Sequence, residues 1–120
     1  MTNPTVVLNV VGLDRATLKH MPNLASLGAV TDLLPVLPAV TCSAQATMLT
    51  GKSPAEHGVV GNGWYERDQA EVRFWKQSNH LVQGEKVWET ARRRDPSVTT
   101  AKLFWWFNMH ASVEFAAVKF

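Results

Sequence analysis

Thr5-Val6-Val7-Leu8-Asn9-Val10-Val11 is the stretch whose reading sets the expected fold. It is rich in β-branched residues and almost unbroken in hydrophobicity, the pattern of a strand buried on both faces, as in parallel sheets. Gly12 follows it, and Asp14 stands where it can cap a helix. Working outward, a further helical turn is expected from near Asn23, with Gly28 as its left-handed stop, and a second short strand over residues 29–34. Pro35 and Pro38 impose an extended segment, because proline fixes its own φ and biases its predecessor away from helix. A helix is predicted over residues 41–50, with Thr41 able to cap it and Gly51 to end it. Residues 53–63 are rich in turn formers. Strands are expected over 71–75 and 99–106, and between them a helix over 85–93 that Asp95-Pro96 closes. This alternation predicts an α/β fold, a mostly parallel sheet with flanking helices.

The chain has 120 residues, enough for one domain at most. With 46% hydrophobic and 18% charged residues it can build a packed core, which excludes an intrinsically disordered chain. No 18-residue apolar run exists, so no membrane-spanning helix is expected. The N-terminus lacks a basic region, and no secretory signal is predicted. A single cysteine, Cys42, excludes an internal disulfide and fits a reducing, cytoplasmic compartment. A net charge of +2 gives no argument for nucleic acid as a partner. Arg92-Arg93-Arg94 reads as the solvated end of a helix, complementing its dipole. The C-terminal run over 115–120 is apolar and lacks a polar tail. It leads us to expect a chain cut in mid-fold, the N-terminal part of a single catalytic domain.

The chemistry concentrates between Leu37 and Gly63. An extended proline segment delivers Thr41 to the start of a helix, where free N–H groups and the positive dipole end favour an anion such as a phosphoryl group. A threonine hydroxyl there could attack phosphorus once activated; no adjacent general base is visible, so a metal would have to activate it. The plainer reading makes Thr41 an N-cap and nothing more. Asn62, between Gly61 and Gly63, could donate to a phosphate oxygen, or could simply tolerate positive φ in a turn. His57 is expected to be a structural hydrogen-bonding residue, and His20, His57, His80 and His110 show no metal-ligand spacing. Trp64, Tyr65, Phe74 and Trp75 could line a cleft, whereas Phe104-Trp105-Trp106-Phe107 is expected to pack on both faces of a strand.

Taken together, Pro38-Ala39-Val40-Thr41, Leu49-Thr50-Gly51 and Pro54-Ala55-Glu56-His57-Gly58-Val59-Val60-Gly61-Asn62 resemble the nucleophile region of type I phosphodiesterase/nucleotide pyrophosphatases, in the alkaline phosphatase superfamily. The continuation, Asn62-Gly63-Trp64-Tyr65 through Trp75-Lys76-Gln77-Ser78-Asn79 and Phe104 to Met109, is similar to a bacterial subgroup of alkaline-phosphatase-like proteins. The resemblance implies an alkaline-phosphatase-like fold and a metal-dependent hydrolase of phosphodiester or pyrophosphate bonds. It makes Thr41 the nucleophile and a ligand of one metal, and has Asn62 hold a nonbridging phosphoryl oxygen. It also implies two divalent metal ions, zinc in family members, bound by several Asp and His residues, a phosphothreonine intermediate, and a small phosphodiester or nucleotide substrate. The family has an Asp before the glycine that ends the first strand. Val11 stands there in this chain, and Asn9 or Asp14 would have to replace it. The family's other ligands come from later in a longer domain, so residues 1–120 alone are not expected to turn over substrate. The rival reading is a non-catalytic phosphate-binding remnant. A flavodoxin-like binding domain also fits the alternation but leaves the Thr41-to-Asn62 pattern unexplained.

Overall fold

The computed structural model describes residues 3–118 and divides the chain into two compact units, between Leu34 and Pro35. Met1, Thr2, Lys119 and Phe120, the last two belonging to the apolar run expected at the C-terminus, lie outside the described residues.

In the first unit Asp14 caps helix α1 (Arg15–Leu18) as its sequence position suggests, accepting from the Thr17 N–H at 2.7 Å. That bond holds the Asp14 carboxyl below the usual carboxylate range. Pro22 opens α2 (Pro22–Ala25). The stretch that set the expected fold behaves differently: residues 5–11 form no strand, with Val6 at 78% and Val11 at 85% exposure. Residues 29–34 form none either, and Gly28 has no positive φ. The reason is general. A strand is defined by the neighbour that completes its hydrogen-bond ladder, and β propensity without such a partner leaves an unpaired segment.

The second unit holds the remaining elements: α3 (Thr41–Thr50), α4 (Pro54–His57), β1 (Gly63–Glu66), β2 (Glu71–Phe74), α5 (Val87–Arg94), β3 (Ala101–Leu103) and β4 (Phe115–Ala117), with 3₁₀ turns at Arg67–Gln69 and Asn79–Leu81. Helix α3 has its predicted bounds and ends at Gly51, whose φ of 68° suits only glycine comfortably. Glu56 accepts from both the N–H and the hydroxyl of Ser53, fixing the start of α4. The expected mostly parallel sheet is not what the described residues form. β1 and β2 make an antiparallel hairpin, and β3 pairs with β4 in parallel as a second two-stranded sheet. The fold is thus a small α/β arrangement of several helices and two short sheets. Within the hairpin, Gly63 lies opposite Phe74, and a Cβ at Gly63 would sit 2.6 Å from the Phe74 ring, so no larger residue fits. The strand expected over 99–106 is confined to β3, because Phe104 and Phe107 take positive φ of 60° and 55° and turn the chain. Phe107 consequently leaves the strand and enters the core with Cys42, Ala46, Val59 and Val82, against which Trp64, Leu81 and Trp106 pack. The arginines of α5 do lie in its last turn, but Arg92 and Arg93 are paired, with Glu114 and Glu85.

Two lysines run inward. Lys86 Nζ donates to the Val82 carbonyl at 2.8 Å; Lys102 Nζ donates to the Phe107 carbonyl at 2.7 Å and lies 5.0 Å from the Trp88 ring centroid. Burial, and then the charge of Lys86, push the Lys102 ammonium down to about 8. Since the unfolded chain holds that proton up to the ordinary 10.5, stability is expected to rise as pH increases through 8. Cys42, pushed up to about 11 by burial, opposes this above its ordinary 9.0. Urea denaturation at pH 8 and pH 9 should therefore show a gain approaching about 1.4 kcal/mol per pH unit. Lys102→Met should flatten it, and an equal gain in that variant would contradict the assignment.

Candidate functional site at the start of helix α3

Residues 38–41 bring the chain into α3 in extended form. Val40 (φ −123°, ψ 165°) is the N-cap, and its carbonyl accepts from Ala44 N–H at 3.0 Å. This corrects the expectation that Thr41 is the cap. The β-branched valine suits the extended cap conformation, and Thr41 is already the first helical residue. The Ser43 hydroxyl donates to the Pro38 carbonyl and ties the entry segment to the helix. Thr41 is exposed, while Cys42 and Ser43 beside it are buried. The thiol of Cys42, neutral and covered, is not the reactive group of this turn.

Asn62 completes the helix start. Its Oδ1 accepts from the Cys42 N–H at 3.0 Å, so a side chain twenty residues away serves as the acceptor that an N-cap side chain would otherwise provide. The structure thus brings Thr41 and Asn62 to one place, at the N-terminus of a ten-residue helix. With Oδ1 engaged as acceptor, Nδ2 is the donor that remains on the same carboxamide. The backbone of Asn62 is fixed as well, its carbonyl accepting from Trp75 N–H at 2.8 Å.

His57 is fully buried and structural, as the sequence suggests. Val59 N–H donates to its Nδ1 at 3.1 Å, which makes Nε2 the protonated nitrogen and Thr47 Oγ1, 2.9 Å away, the acceptor. His57 therefore joins the turn before Asn62 to the middle of α3. Burial lowers its affinity for a proton below the ordinary 6.5. Its contribution to stability is present above pH 6.5 and is lost as pH falls, when the unfolded chain takes up a proton that the folded one resists. His57→Ala orphans Val59 N–H and leaves a cavity. A loss of about 3 kcal/mol at pH 7.5 is expected by denaturant titration, shrinking at pH 5.5; no shrinkage would mean that His57 titrates normally.

The aromatic residues divide in a way the sequence did not indicate. Tyr65 and Phe74 are exposed on the hairpin, whereas Trp64 packs on the core beneath Lys76, whose Nζ lies 4.6 Å from its ring centroid and pairs with Glu66. Trp75 and Trp106 meet edge to face at 5.0 Å. Trp106 N–H donates to Gln45 Oε1 at 2.7 Å, and its indole N–H to the Lys76 carbonyl at 3.0 Å. Gln45 was not singled out from sequence. The available signal was its place in the predicted helix, four residues after Thr41 and between Ala44 and Ala46.

Among the described residues no group of three or more His, Cys, Asp or Glu side chains could hold a metal ion. Asp14 is engaged as the cap of α1, and Asn9 is exposed. The residues described do not by themselves fit a two-zinc site, which needs several Asp and His donors. No helix among the described residues is long and apolar enough to cross a membrane.

No curated protein matches the chain. A family model does, that of type I phosphodiesterase / nucleotide pyrophosphatase, over residues 5–119. The match takes in both the Thr41 helix and the Asn62 turn that closes on it, and the chain belongs to the type I phosphodiesterase / nucleotide pyrophosphatase family.

Proposed function

We propose that the protein is a metal-dependent hydrolase of phosphodiester or pyrophosphate bonds that uses Thr41 as its nucleophile. The observation that carries this reading is the bond between Asn62 Oδ1 and Cys42 N–H, which sets a carboxamide donor beside an exposed threonine at a helix N-terminus. The Thr41 oxygen attacks phosphorus and gives its proton to water, the bond to the leaving oxygen breaks and that oxygen takes a proton from water, and a second water then hydrolyses the phosphothreonine. Asn62 Nδ2 donates to a nonbridging oxygen, on which charge develops as the attack proceeds. The dipole of α3 favours the same charge. Two divalent ions, zinc by the family resemblance, belong to this reading, and the described residues supply no ligand set for them.

A second reading, phosphate binding without turnover, draws support from one feature: Thr41 and Asn62 are both neutral, which suits holding an anion more than activating a nucleophile. The test is hydrolysis of bis(4-nitrophenyl) phosphate by the complete catalytic domain, with zinc or manganese added, alongside phosphate binding by calorimetry. Metal-dependent release of nitrophenol supports the hydrolase. Binding lost in Asn62→Ala, with no turnover under any metal, would favour the second reading.

A further inference from the structure

Four contacts form a closed circuit that begins and ends on α3. Cys42 N–H meets Asn62 Oδ1, the Asn62 carbonyl meets Trp75 N–H, the Trp75 ring meets Trp106, and Trp106 N–H meets Gln45 Oε1. Gln45 lies one turn beyond Thr41 in the same helix, so the circuit returns to the element it started from. Two of its features are costly unless something requires them. Gln45 is a polar side chain buried on α3 beside Cys42, Ala46 and Leu49, and Trp75 holds a φ of 57°, which a bulky residue keeps only when its surroundings over-determine it. Asn62 itself lies between Gly61 and the first residue of β1, and the hydrogen-bond partner of its carboxamide, Cys42 N–H, lies outside that turn. The position of its carboxamide must therefore be imposed from outside the turn.

We propose that Gln45 is a positioning residue for the Asn62 carboxamide: it fixes Trp106, which through Trp75 holds the Asn62 turn against the start of α3. The proposal rests on Asn62 acting at the phosphoryl group. A donor must meet the developing charge within a few tenths of an ångström, and misplacement on the order of 1 Å can cost about a hundredfold in rate. Gln45 touches no substrate; its effect passes through Asn62.

The test is a double-mutant cycle on bis(4-nitrophenyl) phosphate hydrolysis by the complete catalytic domain, with residues 1–120 continued through the family's later metal ligands. Gln45→Leu is expected to lower kcat at least about tenfold with KM nearly unchanged, and to have little further effect in an Asn62→Ala background. Equal losses in both backgrounds, or wild-type kcat in folded Gln45→Leu, would overturn the proposal. Trp75→Leu, a change at a half-exposed ring outside the core, should give the same pattern even if Gln45→Leu does not fold. A separate readout keeps this distinct from the catalytic reading. The Asn62 side-chain amide signals in ¹⁵N-labelled protein should shift or broaden in Trp75→Leu. If they do while Asn62→Ala keeps full turnover, the brace stands and the role of Asn62 in catalysis fails. If they stay unchanged, the brace itself is wrong.

Discussion

Thr41→Ala is expected to lower phosphodiester hydrolysis by on the order of 10⁴-fold or more while leaving the fold intact. The size follows from the proposed role: without the hydroxyl no phosphothreonine forms, and only binding and charge stabilisation remain. That the fold survives follows from the geometry. Thr41 is exposed, Val40 rather than Thr41 caps α3, and alanine is a good helix former, so stability should change by less than about 1 kcal/mol. Turnover should be measured on bis(4-nitrophenyl) phosphate with the complete catalytic domain, and folding by circular dichroism and thermal melting. A folded Thr41→Ala protein with near wild-type turnover would remove Thr41 from the nucleophile role.

Asn62→Ala should cost on the order of 10²-fold in kcat, the magnitude typical of one lost donor to a developing negative charge. It also removes the acceptor of Cys42 N–H, so a stability loss of about 1 kcal/mol should accompany it. Asn62→Asp separates the two effects. An aspartate keeps an oxygen for Cys42 N–H at the positive end of α3, so stability should be retained, but it has no N–H to donate and repels an anionic substrate. Activity lost together with preserved stability is the expected result. Asn62→Asp with normal kcat would show that Asn62 only shapes the turn.

Much of the candidate site was legible in the chain itself. The proline-rich entry, the helix over 41–50, its stop at Gly51, the Pro-x-x-His-Gly turn and Asn62 form a local pattern whose parts each follow near-neighbour rules: proline fixes φ, and glycine takes a left-handed cap. The cap of α1 by Asp14 and the structural part played by His57 followed in the same way. Family membership was legible too, because the residues that carry it lie in this one stretch.

The strands were less legible, and the two clearest cases fail for one reason. The run over 5–11 has every local mark of a buried strand but no neighbour to pair with in the structure, and the stretch expected over 99–106 is cut short after Leu103. Whether a β-prone segment becomes a strand depends on a ladder partner that can lie anywhere in the chain, and no local pattern specifies it. The same non-local dependence separates what the residues fix from what folding adds at the site. By itself the sequence determined that a helix starts at Thr41 and stops at Gly51, and that an asparagine follows between two glycines, because starts, stops and turns are set within a few residues. Only the tertiary structure decided that Asn62, twenty residues away, closes onto Cys42, and that Trp106 meets both Gln45 and Trp75. Those contacts form because burying the core around Cys42, Ala46, Val59 and Phe107 brings distant backbone groups together and obliges each buried polar group to find a partner.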